Sequence, residues 1–152
     1  MKKFAIFAAS MLGCAMMSAQ PAPGSFEQTW TRGPEWLRDG VIYQVYPSSY
    51  KDSDGNGIGD IRGVISELDY IESLGVRAIW FNTLFVSGWI DGGYDVIDFY
   101  RVDPRFGTNN DMVELIEKAH AKGIKVMLDL VAGHTSDKHP WFIQSSQDTN
   151  LQ

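Results

Sequence analysis

Three short apolar runs, VIYQVY (41–46), VRAIWFN (76–82) and IKVMLDLV (124–131), alternate with two stretches whose apolar residues recur at helical spacing. In the first stretch, Ile61, Val64, Ile65, Leu68, Ile71 and Leu74 step by threes and fours, and Gly75 stands where such a helix stops. In the second, Asn110 or Thr108 caps a helix carrying Met112, Leu115, Ile116 and Ala119, closed by Gly123. Runs this apolar predict strands buried on both faces. Their alternation with helices predicts right-handed crossovers and a parallel sheet. The intervening segment, 83–110, carries no helical stripe.

Two architectures fit that order. An open doubly wound sheet wants a glycine-rich phosphate turn directly after its first strand. The glycines that follow VIYQVY sit instead among Asp52, Asp54 and Asp60, a setting hostile to phosphate. The expected fold is therefore α/β, comprising the first three βα units of a TIM-type (β/α)8 barrel, incomplete. A whole barrel takes roughly 250 residues, so the 152 residues here are expected to be the beginning of a longer protein.

The start of the chain reads as a targeting segment. Met1-Lys2-Lys3 precedes an apolar run from Phe4 to Met17, then Ser18-Ala19-Gln20, which is the pattern of a secretory signal peptide over 1–19. The apolar run is too short for a membrane span. A lipid anchor at Cys14, after Leu12-Gly13, fits less well because the apolar run continues past it. The expected location is secreted or periplasmic. Residues 20–33, with Pro21, Pro23, Gly24 and Gly33, form an extended lead-in; 34–143 hold the barrel part, and 144–152 begin an inserted segment. Cys14 is the sole cysteine, so a processed chain has none for a disulfide. Removal of Lys2 and Lys3 leaves 11 basic against 19 acidic residues, a net charge of −8. Such a surface excludes nucleic acid and anionic lipid as partners.

The loop KDSDGNGIGDIRG (51–63) sets oxygen groups at Asp52, Asp54, Asn56, the carbonyl of Ile58, and Asp60. These are positions 1, 3, 5, 7 and 9, the alternation by which a short loop wraps calcium. Gly63 stands where an EF-hand would need a bidentate glutamate, and a strand precedes the loop. The expected cofactor is a structural calcium ion, not a sensor site.

Barrel chemistry gathers at the carboxyl ends of the strands. Asp129, inside the third apolar run, requires an ion pair or hydrogen bonds to offset its burial, and a structural ion pair is the favoured reading. His134, just past it, is a rim contact for substrate or a loop cap. The segment after the second strand is rich in aromatics (Phe81, Phe85, Trp89, Tyr94, Phe99, Tyr100), and its Gly92-Gly93 turn pushes Asp91 and Tyr94 outward. An aromatic face beside carboxylates suits a sugar, and suits loop packing equally.

VIYQVYPSSYKDSDGNGIGDIRGV, LGVRAIW, GGYDVIDFYRVDPRFGT and GIKVMLDLVAGHTSDKHPWF together resemble the opening of the catalytic barrel in glycoside hydrolase family 13, the α-amylase family. The resemblance runs from about Pro34 to Phe142. It implies that His134 contacts, and Tyr94 stacks on, the glucose unit beside the scissile bond. It implies that Asp91 meets the sugar's non-reducing end and that Asp129 supports the active-site charge network. The Asp52–Asp60 loop resembles the calcium loop of the oligo-1,6-glucosidase-like branch. Gly133 replaces the usual asparagine, so a second calcium site known in many α-amylases loses a ligand. The implied activity is retaining hydrolysis of α-glucans or maltooligosaccharides by an exported enzyme, monomeric when intact. The alternatives are a transglycosylating or isomerising relative such as a trehalose synthase, or a non-catalytic calcium- and sugar-binding fragment. The catalytic carboxylates are implied on the fourth, fifth and seventh strands, so no residue of this sequence is assigned as catalytic and the chain alone is expected to be inactive.

Overall fold

The computed structural model describes residues 33–148. The signal peptide, Cys14, nearly all of the lead-in and the last four residues lie outside them. Three strands, β1 (Ile42–Val45), β2 (Ala78–Phe81) and β5 (Lys125–Leu128), form a parallel sheet in the order β1-β2-β5. In register, Tyr43 meets Ile79 and Val45 meets Phe81, while Ile79 meets Val126. The parallel sheet and its helical crossovers are as the alternation predicts.

Helices α3 (Ile61–Ser66), α4 (Leu68–Ser73) and α5 (Asn109–Ala121) supply the rest of the core. Ile61, Val64, Ile71, Ile79, Phe81, Leu115 and Ala119 are sealed from solvent. The expectation of strands covered on both faces is corrected. Ile79 and Phe81 point into the core, whereas Trp80 between them is 36% exposed and its register partner Gln44 is exposed too. β5 is an edge, with Leu128 41% and Leu130 78% exposed. Among the described residues, one face of the sheet is covered and the other open.

The single helix expected over 61–74 is broken. The Ser66 hydroxyl donates to the Gly63 carbonyl at 2.7 Å, and the Glu67 amide turns to Val64 O at 3.0 Å, a tighter i→i−3 step. Glu67 leaves helical geometry there (φ −103°, ψ 6°), held by a 3.0 Å ion pair with Lys51. At α5 the open choice of cap resolves to Thr108. Its Oγ1 accepts from the Asp111 amide at 3.2 Å, and Asp111 Oδ2 accepts from the Thr108 amide at 2.8 Å, a capping box.

The segment without a helical stripe contains an antiparallel pair, β3 (Phe85–Ser87) and β4 (Val96–Val102), with register shifts on both sides of Val86. Its signal was the β-branched and aromatic composition of VIDFYRV. Three short helices complete the order: α1 (Glu35–Arg38), α2 (Pro47–Tyr50) and α6 (Pro140–Gln147). No helix among the described residues is long and apolar enough to cross a membrane.

Candidate active site

The carboxyl ends of the three parallel strands carry one connected set of polar side chains. Asn82 follows β2 and Asp129 follows β5 directly, so the sheet register delivers both to the same rim. Tyr94 OH donates to Asp129 Oδ2 at 2.6 Å and accepts from Asn82 Nδ2 at 2.9 Å. Asn82 Oδ1 accepts in turn from Gln44 Nε2 at 3.2 Å. Trp80 Nε1 donates to the other oxygen of Asp129 at 2.6 Å.

One expectation about Asp129 is corrected here. β5 ends at Leu128, so Asp129 lies just beyond the strand, although its amide still bonds Phe81 O at 3.1 Å. Its partners among the described residues are two neutral donors, and the cation expected elsewhere in the barrel is not one of these residues. A phenol and an indole satisfy both oxygens without a buried counter-charge. The Tyr94 hydroxyl is pushed above the ordinary tyrosine range by burial, then by its bond to Asp129, so it stays a proton donor at neutral pH.

Asp91 and Tyr94 both belong to the glycine turn, but only Asp91 is turned outward; Tyr94 is half-buried and faces Asp129. Gly92 and Gly93 adopt φ of 59° and 102°, the left-handed region that a side chain would resist, and the Tyr94 amide closes the turn on Asp91 O at 2.9 Å. His134 Nε2 lies 4.0 Å from Asp91 Oδ2, both side chains exposed. The structure therefore brings Asp91, Tyr94, Asp129 and His134 to one rim. His134 also lines an open groove of about 940 Å³ shared with Phe99, Tyr100, His139 and Trp141.

The aromatic run divides. Phe81 is core, Trp89 packs edge-on to Phe106 at 5.6 Å, and Phe85 meets Phe99 at 5.9 Å. Tyr94 is the ring bonded into the strand-end set, and Tyr100 is 86% exposed. Trp80, Gln44 and Asn82 are members of the site that the sequence reading did not pick out. Their signal was positional: each lies on, or one step past, a predicted strand.

In the 51–63 loop, oxygens of Asp52, Asp54 and Asp60 lie within 4.8 Å of one another. That span matches two calcium–oxygen bonds of roughly 2.4 Å placed end to end. Among the described residues no lysine or arginine pairs with any of the three, and the donors are all hard oxygens. On both counts the group fits calcium. Asp52 takes the amides of Gly57 (2.7 Å), Gly55 (2.8 Å) and Asp54 (3.1 Å), and these bonds, Gly57 first, hold its carboxyl below the usual range. Asp60 Oδ1 caps α3 through the Gly63 amide at 2.7 Å. Asn56 Oδ1 accepts from the Ile58 amide at 2.8 Å.

Comparison with known proteins decides the family. The family described as Alpha amylase, catalytic domain, matches residues 44–152. This chain belongs to the α-amylase catalytic-domain family. It is 49% identical over 111 residues to an oligo-1,6-glucosidase of Heyndrickxia coagulans, covering 73% of this chain and 20% of that one. A trehalose-6-phosphate hydrolase of Escherichia coli (strain K12) is also 49% identical, over 112 residues, 74% of this chain and 20% of the other. Among solved structures, the isomaltulose synthase of Klebsiella sp. LX3 superposes with a TM-score of 0.75 at 45% identity, covering 78% of this chain and 21% of that one. The trehalose-6-phosphate hydrolase of Bacillus licheniformis gives 0.74 at 46% identity, covering 76% and 21%. The chain thus spans about one fifth of the length of the relatives it matches. At Gly133 a Cβ would meet nothing within 4 Å, so no steric demand requires the glycine.

Proposed function

We propose that this chain forms the sugar-gripping part of the pocket of an exported, retaining α-glucosidic hydrolase acting on α-glucans or maltooligosaccharides. The observation that carries the reading is the convergence of Asp91, Tyr94, Asp129 and His134 at the strand ends. The Tyr94 ring offers a flat face to the C–H side of a glucose unit. Asn82 and Asp129 hold that ring in place through its hydroxyl, while Trp80 steadies Asp129 from the other side. Asp91 and His134 stand on the exposed rim, where a carboxylate and an imidazole bond sugar hydroxyls. No residue of this chain is proposed as the nucleophile or acid of the double displacement; the chain spans about one fifth of the length of the relatives it matches.

Calcium would be held by Asp52, Asp54 and Asp60, with Asn56 and the Ile58 carbonyl as further oxygens, neutralising carboxylates that otherwise repel. Export through residues 1–19 and a monomeric state of the intact enzyme belong to the same proposal. The mass of protein recovered from the periplasm or medium checks the first, and a single start beginning at Gln20 is expected.

The test replaces the matching segment of the Heyndrickxia coagulans oligo-1,6-glucosidase with residues 34–142. Hydrolysis of isomaltose and maltotriose by the chimera is expected, with loss of about 100-fold or more in kcat/KM for Tyr94→Ala, His134→Ala or Asp91→Ala. Activity that ignores all three substitutions would sink the reading. The 152-residue chain by itself is expected to turn over neither sugar. A second reading, an isomerising enzyme, is favoured by the Klebsiella isomaltulose synthase likeness. It predicts a rearranged disaccharide among the chimera's products instead of free glucose.

A further inference from the structure

Asp95 is a buried carboxylate, 8% exposed, to which the proposed sugar contacts assign no part. One oxygen is crowded. Asp95 Oδ1 accepts from Ser87 Oγ at 2.7 Å and from the amides of Ile90 and Asp91, each at 3.2 Å. Ser87 Oγ in turn accepts from the Trp89 amide at 3.0 Å, and Gly88 N–H bonds Asp95 O at 3.2 Å. The whole run from Ser87 to Asp91 therefore folds around this one side chain. The other oxygen, Oδ2, is buried with no hydrogen-bond partner in the structure. It points at Gly88, where a Cβ would come within 2.5 Å of it and 3.4 Å of Ser136 Oγ. Ser136 is 2% exposed, its amide bonds Val96 O at 2.9 Å, and it lies two residues from His134.

The run is also strained. Trp89 is the one non-glycine at positive φ (59°) among the described residues. Its indole is pinned by Asp103 Oδ2 at 2.9 Å and covered by the Arg105 guanidinium at 3.6 Å, and it packs near Gly93. A residue in that region persists only where its surroundings over-determine it. Asp95 and Asp103 do so from two sides.

We propose that Asp95 is a positioning residue that sets the orientation of Asp91 and Tyr94 by gathering the Ile90 and Asp91 amides. Resting on the sugar-gripping reading, it adds a residue that touches no sugar. The balance of charge agrees. Burial pushes the Asp95 carboxyl up, but Ser87 and the Asp91 and Ile90 amides outweigh it, so the group is held below the usual range and stays an acceptor.

Peptide-resolved hydrogen exchange on the whole 152-residue chain tests this. In Asp95→Ala, a peptide spanning 88–95 is expected to exchange about tenfold faster, while one spanning 77–82 in β2 stays within about twofold. Asp95→Asn, which retains one acceptor oxygen, is expected to recover most of the protection. Gly88→Ala leaves Asp95 in place but drives a methyl into Oδ2, and is expected to loosen 88–95 as Asp95→Ala does. Equal acceleration in both Asp95→Ala peptides would make Asp95 a general fold stabiliser and overturn the proposal, as would no change in either. The chimera described above, run in parallel, separates the two readings. If isomaltose hydrolysis by the chimera ignores Tyr94→Ala, His134→Ala and Asp91→Ala, sugar gripping fails, while the exchange pattern still decides the role of Asp95.

Discussion

At the scale of single residues, the site separates groups that hold from groups that touch. Tyr94→Phe keeps the ring face and removes the bond to Asp129. We expect a loss of about 1 kcal/mol in chemical denaturation, since a half-buried acceptor loses a donor. Asp91→Asn removes an exposed charge that faces only His134 at 4.0 Å, so stability should change by less than about 0.5 kcal/mol. Sugar contact, where it occurs, should weaken all the same. Legibility in the sequence follows the same division. Asp129 and His134 could be singled out because a carboxylate in an apolar strand, or an imidazole after one, is chemically conspicuous; Asp91 and Tyr94 stood out through the Gly92-Gly93 turn and the family resemblance. Asn82 and Gln44 could not, because amides beside strand ends are ordinary until a register aligns them. The neutral partners of Asp129 were hidden for another reason: an indole and a phenol distant in sequence advertise packing before they advertise donation.

At the scale of elements, local chemistry decided more than periodicity. Ile61, Val64, Leu68 and Ile71 are buried and Ile65 partly so, while Leu74 is exposed, and the Ser66 hydroxyl divides the helix, an effect invisible to a count of apolar spacing. The α5 cap was legible to within a choice of two, and the structure makes it testable. Asp111 is held below the usual range by Thr108 first, and also by Arg62 at 2.6 Å. A carboxyl whose folded pKa is depressed contributes stability that is present above its unfolded value, near pH 4, and lost as pH falls through the folded value. Thr108→Ala should cost about 1 kcal/mol at pH 7 and flatten the acid limb below about pH 4, read from urea midpoints across pH. Gly63 is fixed by space: a Cβ would lie 2.0 Å from Lys51 O, so Gly63→Ala should cost about 1–3 kcal/mol in the same measurement. The neighbouring loop gives a ligand test. Calcium at about 100 times its dissociation constant should add about 2.7 kcal/mol, and Asp52→Ala with Asp54→Ala should abolish the gain.

At the scale of the whole molecule, the sheet has a covered face and an open one. Trp80, Leu128, Leu130 and Trp141, from 36% to 78% exposed, together with the unpaired edge of β5, make a surface prone to association. Sedimentation velocity should find concentration-dependent self-association of the chain, reduced by Leu130→Lys; a strictly monomeric boundary at all concentrations would contradict this. The sequence pattern foretold the parallel sheet but overstated its burial, because apolar composition records what a strand is suited to contact and not which contacts these residues alone supply.

One consequence follows from where the rim residues sit. Asn82, Asp91, Tyr94, Asp129 and His134 all fall in a single uninterrupted stretch, 82–134, and the strut at Asp95 travels with them. On the reading proposed above, one genetic exchange extended to Trp80 would carry a sugar preference between relatives together with the bonds to Asp129, leaving the recipient's bond-breaking acids in place.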